Sequence, residues 1–173
     1  LVPLSFGHNQ VEKNWLPFIQ QDKLYCIYSF NPLIILRIYT NGTCQEIKRS
    51  ILFNDTYALI GHRGGSIVDL GIGYIIMTHY TSPQPLWRYY YRRFLLMDYN
   101  FNLVSISIPF CLEKKMIEYS LCVTSINDTE LELYYSLADQ GVNTVRLSKA
   151  GITEMLVPVD QYLDAATNKS STD

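Results

Sequence analysis

The chain has 173 residues, enough for one domain with a real core. Its 48% hydrophobic and 17% charged residues are the opposite of the balance that keeps a segment disordered. A net charge of −2 supplies no large basic field for nucleic acid or an acidic membrane surface, so no nucleic-acid partner is expected. The local basic group Arg88, Arg92 and Arg93 is interleaved with Tyr89, Tyr90 and Tyr91 and is explained as well by a strand face.

The elements read as strands from end to end. Aromatic residues make up 13% of the chain, and aromatic and β-branched residues favour strands. Short apolar runs separated by turn residues fall at 24–30, 33–39 and 44–48. The last two are joined by Thr40-Asn41-Gly42, where Asn-Gly accepts the positive φ of a hairpin turn. A run at 66–70 follows, and Leu70-Gly71-Ile72-Gly73 turns the chain into 74–79. Runs at 89–97 and 103–107 flank the turn Asp98-Tyr99-Asn100. Then comes 119–126, turned by Asn127-Asp128 into 131–136, and runs at 143–147 and 152–156 finish the pattern. From Pro158 the chain becomes polar, and 165–173 reads as a frayed tail. No run reaches the ~18 apolar residues of a membrane helix; the 33–39 run is broken by Arg37. No signal peptide is visible. The first residue is Leu rather than Met, which is expected of a processed, truncated or fragmentary chain.

Cys26, Cys44, Cys111 and Cys122 match no zinc spacing. Cys26 and Cys122 sit in apolar runs and are expected as buried thiols. Asn-X-Ser/Thr triplets at Asn41, Asn54, Asn127 and Asn168 are a weak pointer to a secretory route and leave the compartment unknown.

Aligning the runs reveals a repeat. Lead-in segments at 12–18, 63–70 and 117–126 are each followed by a second strand, at 24–29, 73–79 and 131–139. The second strands end in Ser29, His79 and Asp139, 50 and 60 residues apart. A four-stranded propeller blade takes ~40–50 residues plus insertions. The expectation is an all-β chain of about three four-stranded blades. Residues 1–10 end a preceding blade, 11–60, 61–112 and 113–160 are one blade each, and 161–173 is the tail. Three blades cannot close a ring, so N-terminal blades are expected to be missing from this chain and carried upstream or on another chain. The rival reading is a self-contained β-sandwich of about twelve strands.

In a propeller, polar residues at the starts of the innermost strands converge at one mouth of the central channel. That set is Glu12, Lys13 and Asn14, then Arg63, Gly64 and Gly65, then Glu118. The ends of the second strands add Asn31, His79 and Asp139, and Trp15 offers a stacking face. Carboxylates and amides grip sugar hydroxyls, while Lys, Arg and His hold an anion. Each residue also has a plain structural role. Glu12 and Lys13 are adjacent and point to opposite strand faces. A lone histidine after an apolar strand is more often a hydrogen-bonded structural residue. Gly64 and Gly65 can serve only a tight backbone turn, Asp139 can cap a turn with Gln140 and Gly141, and Trp15 can be core. His8 and His62 read as structural. No nucleophile–base pair, phosphate loop or metal spacing is present.

The segment Glu12-Lys13-Asn14-Trp15-Leu16-Pro17-Phe18, with Lys23-Leu24-Tyr25 and Ser29-Phe30-Asn31-Pro32, resembles five-bladed propeller proteins related to the β-mannoside phosphorylases and hydrolases. Further on, Gly64-Gly65-Ser66-Ile67 with Gly73-Tyr74-Ile75-Ile76 and His79 resembles that family's Gly-rich strand leading to a Tyr-His pair. Phe94-Leu95-Leu96-Met97-Asp98 is similar to its fourth-blade strand, and Tyr134-Tyr135-Ser136-Leu137-Ala138-Asp139 to its last-blade motif. The resemblance covers about residues 11 to 150 and is nearest to a branch bearing Glu-Lys-Asn-Trp and Arg-Gly-Gly. The wider group includes glycosyltransferases that build β-mannosides.

The resemblance implies a carbohydrate-active propeller working on mannose-type glycosides by phosphorolysis, hydrolysis or glycosyl transfer, with this chain supplying part of the site. Lys13, Arg63 and His79 would hold phosphate or another anion, and Glu12, Asn14, Glu118 and Asp139 would bind sugar hydroxyls. No cofactor or metal is implied; inorganic phosphate or a nucleotide-sugar is the co-substrate. The departures are specific. The family's general acid, in an Asp-Pro-Arg-type segment, is absent, so no catalytic residue is assigned in this chain. The family's His-Arg pair is Ser29 and Phe30 here, and the Gly after its His is Tyr80. The chain alone is therefore not expected to turn over a substrate. The alternative is a non-catalytic sugar-binding or structural subunit of a larger assembly.

Overall fold

The computed structural model describes residues 4, 6, 14–51, 61–81, 90–113, 118–138 and 140–162. Strands dominate. In chain order they are β1 (Leu16–Gln20), β2 (Lys23–Phe30), β3 (Leu33–Ile38), β4 (Cys44–Ser50), β5 (Arg63–Asp69), β6 (Tyr74–Thr81), β7 (Tyr90–Met97), β8 (Leu103–Ser107), β9 (Glu118–Ser125), β10 (Glu130–Leu137) and β11 (Gln140–Ser148). A helix, α1 (Lys149–Glu154), and a short strand, β12 (Leu156–Pro158), follow. Among the described residues, no helix is long and apolar enough to cross a membrane.

Three antiparallel sheets result, in the orders β1-β2-β3-β4, β12-β8-β7-β6-β5 and β11-β10-β9. Apart from β12, every strand pairs with its sequence neighbour, the arrangement that short turns between runs dictate. The chain divides into two compact units, Leu1–Gly64 and Gly65–Asp173.

The turns follow local chemistry. Gly42 takes φ 84°, and Asn41 Oδ1 accepts from Thr43 N at 3.0 Å, closing the hairpin between β3 and β4. Asp98 Oδ1 accepts from Asn100 N and Asn102 N at 2.9 and 2.8 Å, and so shapes the turn between β7 and β8. Gly73 is required for another reason. Its φ is 145°, and a Cβ there would lie 2.5 Å from the Met97 carbonyl oxygen.

In the first unit Leu16, Phe18, Cys26, Ile27, Phe30 and the run Leu33, Ile34, Ile35 and Leu36 are buried. Four consecutive buried residues in β3 mean that both of its faces are covered, as the unbroken apolar run implies. Burial pushes the Cys26 thiol up to about 12. All four cysteines are free thiols. In the second unit Ile75, Met77 and Phe94 pack against Val123 of β9, Leu131, Leu133 and Tyr135 of β10, and Ile152 of α1.

The strand expected over 152–156 is replaced by α1 and β12. Ser148 caps the helix, its Oγ accepting from Gly151 N at 3.2 Å, and Ile152 turns into the core as the helix's one buried residue. The turn redirects the chain, so β12 pairs with β8 through Leu156↔Ser107, Val157↔Ile106 and Pro158↔Ser105. The sheets consequently hold four, five and three strands rather than four each. Pairing across a chain reversal is tertiary information that no local pattern carries.

Gly73→Ala is expected to lower stability by more than ~1 kcal/mol, because strain from φ and the close carbonyl act together; an unchanged urea midpoint would contradict this approach of β6 to β7. Native Cys26 is expected to resist thiol alkylation at pH 8 and to react only on unfolding, since almost no thiolate exists at that pH. Mass spectrometry of labelled peptides would expose the error if Cys26 were modified as fast as the partly exposed Cys44, Cys111 and Cys122.

Candidate functional site

β7 begins with charge inside an otherwise apolar strand. Successive strand residues face opposite sides, so Arg92 and Arg93 occupy different environments. Both are buried, at 0% and 6% exposure. A buried guanidinium has to find acceptors for its donors.

Arg92 finds them on β9. Its Nη1 donates to Glu118 Oε2 at 2.7 Å, Nη2 to the Glu118 carbonyl at 2.6 Å, and Nε to Ser120 Oγ at 2.5 Å. Glu118 is itself 0% exposed. Its Oε2 also accepts from Leu112 N, and its Oε1 from Glu113 N, both at 2.9 Å. Burial pulls the Arg92 guanidinium below its ordinary value while the Glu118 hydrogen bond and charge pull it back up. An arginine stays charged under such opposing influences. The Arg92 backbone exchanges hydrogen bonds with Phe110 at 2.9 and 3.0 Å. One ion pair thus holds β7, the segment at 110–113 and the start of β9 together.

Arg93, on the other face, donates from Nη1 to the Ser107 carbonyl at 2.9 Å and lies 5.1 Å from the Tyr162 ring centre. Beside it Tyr80 stacks on Tyr91 with centroids 5.4 Å apart. Burial raises the Tyr80 hydroxyl, and the Arg93 charge works against that rise.

His79 is the cross-strand partner of Arg92 and is 4% exposed. Its ring meets Tyr119 edge-on at 5.1 Å and lies 6.1 Å from Tyr90. Gly65 makes room for this group: a Cβ there would be 3.2 Å from the Met77 carbonyl, 3.6 Å from Ser120 Cβ and 3.9 Å from His79 Nδ1. The Tyr135 hydroxyl donates to Glu113 Oε1 at 2.7 Å, which raises its pKa. Glu113 is exposed and Tyr119 half-buried. The result is a buried cluster of Arg92, Glu118 and Ser120, with His79 beside it and the exposed Glu113 and half-buried Tyr119 next to it. A carboxylate and phenols are groups that hold hydroxyls.

The structure redistributes the residues expected from sequence. It brings His79 beside the partner of Glu118. Glu118 is fully buried, both of its carboxylate oxygens accept hydrogen bonds, and it is the counter-charge of Arg92. Asn14, at φ 63°, precedes β1, and Arg63 is exposed at the head of β5; both belong to the first unit. Glu12, Lys13 and Asp139 lie outside the described residues. Gly64 and Gly65 lie within β5 rather than in a turn, and a Cβ on Gly64 would stand 3.0 Å from Leu16 Cβ. Trp15 meets Tyr28 edge-on at 5.2 Å. Sequence reasoning missed Arg92, Glu113, Ser120 and Tyr135. The available signal was Arg92 itself, a charge at the head of an apolar strand that demands a buried acceptor. A groove of about 380 Å³ in the first unit, lined by Asp22, Lys23, Arg37 and Tyr39 among others, contains none of the expected site residues. Among the described residues, no group of three or more His, Cys, Asp or Glu is placed to hold a metal.

No protein-family model matches this chain. No curated protein matches it either.

Glu118→Ala is expected to cost ~3–5 kcal/mol, because it strands a buried guanidinium. Replacing both partners, Arg92→Met with Glu118→Leu, is expected to cost much less than the sum of the single losses. Urea unfolding of the wild type, Arg92→Met, Glu118→Leu and the double variant measures the coupling, and additive losses would mean that the pair is not a unit.

Proposed function

We propose that this chain is the later part of a five-bladed carbohydrate-active propeller that works on mannose-type glycosides, by phosphorolysis, hydrolysis or glycosyl transfer. The observation that carries the reading is the order of its motifs. Glu12-Lys13-Asn14-Trp15, Gly64-Gly65-Ser66, Gly73-Tyr74 with His79, Phe94 to Asp98, and Tyr134 to Asp139 follow one another as in the β-mannoside phosphorylase and hydrolase group. Three antiparallel sheets, built from consecutive strands apart from β12, support a repeat of blades. In this reading Lys13, Arg63 and His79 hold phosphate or a nucleotide-sugar diphosphate, and Glu12, Asn14 and Asp139 bind sugar hydroxyls. Glu118 contributes indirectly, by fixing Arg92 across from His79. The general acid comes from blades outside this chain, and an inverting reaction needs it on the opposite side of the sugar from the attacking group.

A second reading is a sugar-binding or structural subunit without catalysis. The burial of His79 and the engagement of Glu118 favour it, because two of the expected ligand-binding side chains have little surface to offer.

Titration calorimetry of the complete protein with β-linked manno-oligosaccharides and with mannose 1-phosphate tests both readings. Binding is expected, and Lys13→Ala or Asp139→Ala is expected to weaken it ~10–100-fold, the loss of one charge-assisted hydrogen bond. Release of mannose 1-phosphate or mannose, or transfer of mannose from a nucleotide-sugar, followed by NMR, would support the enzyme. Binding without turnover would support the second reading. No binding of any of these ligands would end the enzyme and the sugar-binding subunit and leave the structural subunit.

A further inference from the structure

Two Asn-X-Thr triplets fall among the described residues, Asn41-Gly42-Thr43 and Asn127-Asp128-Thr129. Each forms the tip of a hairpin, the first between β3 and β4 and the second between β9 and β10. Asn41, Thr43, Asn127, Asp128 and Thr129 are all exposed. The two tips lie in different compact units, so neither copies the surroundings of the other.

Their local geometry is nonetheless the same. At the first tip Asn41 Oδ1 accepts from Thr43 N at 3.0 Å and from the Thr43 hydroxyl at 2.7 Å. At the second, Asn127 Oδ1 accepts from Thr129 N at 2.8 Å and from the Thr129 hydroxyl at 3.0 Å, and in addition from Glu130 N at 2.8 Å. The backbone bond alone closes an Asx turn, and many residues at the third position would permit it. The hydroxyl bond is not needed to close either hairpin. It is what a threonine adds, and with the backbone N–H it puts two threonine donors on the asparagine oxygen.

We propose that Asn41 and Asn127 are the acceptors of N-linked glycans. In the transfer, the side-chain Nδ2 attacks C1 of an oligosaccharide carried on a lipid diphosphate. The Nδ2–C1 bond forms, the C1–O bond to the diphosphate breaks, and the lipid diphosphate leaves. One amide proton is lost to a base of the transferring enzyme, and nothing is oxidised or reduced. Loss of that proton places negative charge on Oδ1, where the threonine N–H and hydroxyl already point, so these donors favour the reacting form. Because the whole device spans three residues, it can form before the sheets assemble. A hairpin tip then carries a bulky polar glycan in water without displacing core. At the second tip Asn127 Nδ2 also donates to Glu130 Oε2 at 3.1 Å; this exposed contact opens at little cost.

The protein purified from its own cells is digested and treated with peptide N-glycosidase in ¹⁸O-water. Conversion of Asn41 and Asn127 to ¹⁸O-labelled aspartate is expected. Recovery of either peptide wholly unmodified before the glycosidase overturns the proposal for that asparagine. In the same cells Thr43→Ser is expected to preserve modification at Asn41 and Thr43→Ala to abolish it. Full modification of the Thr43→Ala protein overturns the role given to the hydroxyl.

Discussion

Arg92 and Glu118 are both removed from water and meet as an ion pair at 2.7 Å. A guanidinium keeps its charge, so its burial is admissible only if an anion and further acceptors stand ready. Glu118 meets that demand twice, through its side chain and through its own carbonyl. The geometry leaves little freedom elsewhere. β9 has to start beside β7, Ser120 has to reach Arg92 Nε, and the segment at 110–113 has to present two N–H groups to the carboxylate. The apolar contacts between the second and third sheets then fall into register around Phe94 and Val123.

The second sheet shows how strand alternation turns one dipeptide into two sites. Arg92 belongs to the face that meets β9 and β10, and Arg93 to the face with Tyr80, Tyr91 and Tyr162. Glycine supports the arrangement by absence. Gly65 admits Ser120 and His79 to the same small space, and Gly73 admits the Met97 carbonyl. Neither position serves a generic flexibility; in each a neighbouring atom sits where a side chain would begin.

The consequences for function divide the expected site residues by exposure. Arg63 is exposed, whereas His79 and Glu118 are enclosed. Enclosure suits an orienting role better than direct contact, because a carboxylate that accepts three hydrogen bonds has little capacity left for a ligand. Glu113 and Tyr119 are the more accessible polar groups beside the buried cluster. Of the set that the sequence places together, Glu12, Lys13, Asn14, Asn31, Arg63, Gly64, Gly65, His79, Glu118 and Asp139, the structure sets Gly65 and His79 beside Ser120, and His79 across from the Arg92 that pairs with Glu118. Their roles were not legible in the sequence, because a strand pattern says which side a residue faces without saying whether that side is open.

Most of the strand content, the hairpin tips at Asn41-Gly42 and Asn127-Asp128, and the chain-order pairing within sheets were determined by the sequence alone. These depend on apolar alternation, turn chemistry and short connections, all of which act within a few residues. The buried fate of Arg92 was decided only by tertiary structure, since its acceptors lie 26 and 28 residues away. The same is true of β12, which leaves its sequence neighbours to pair with β8. The physical reason is common to both. Burial and long-range pairing are properties of the space between elements, and that space exists only after the strands have packed.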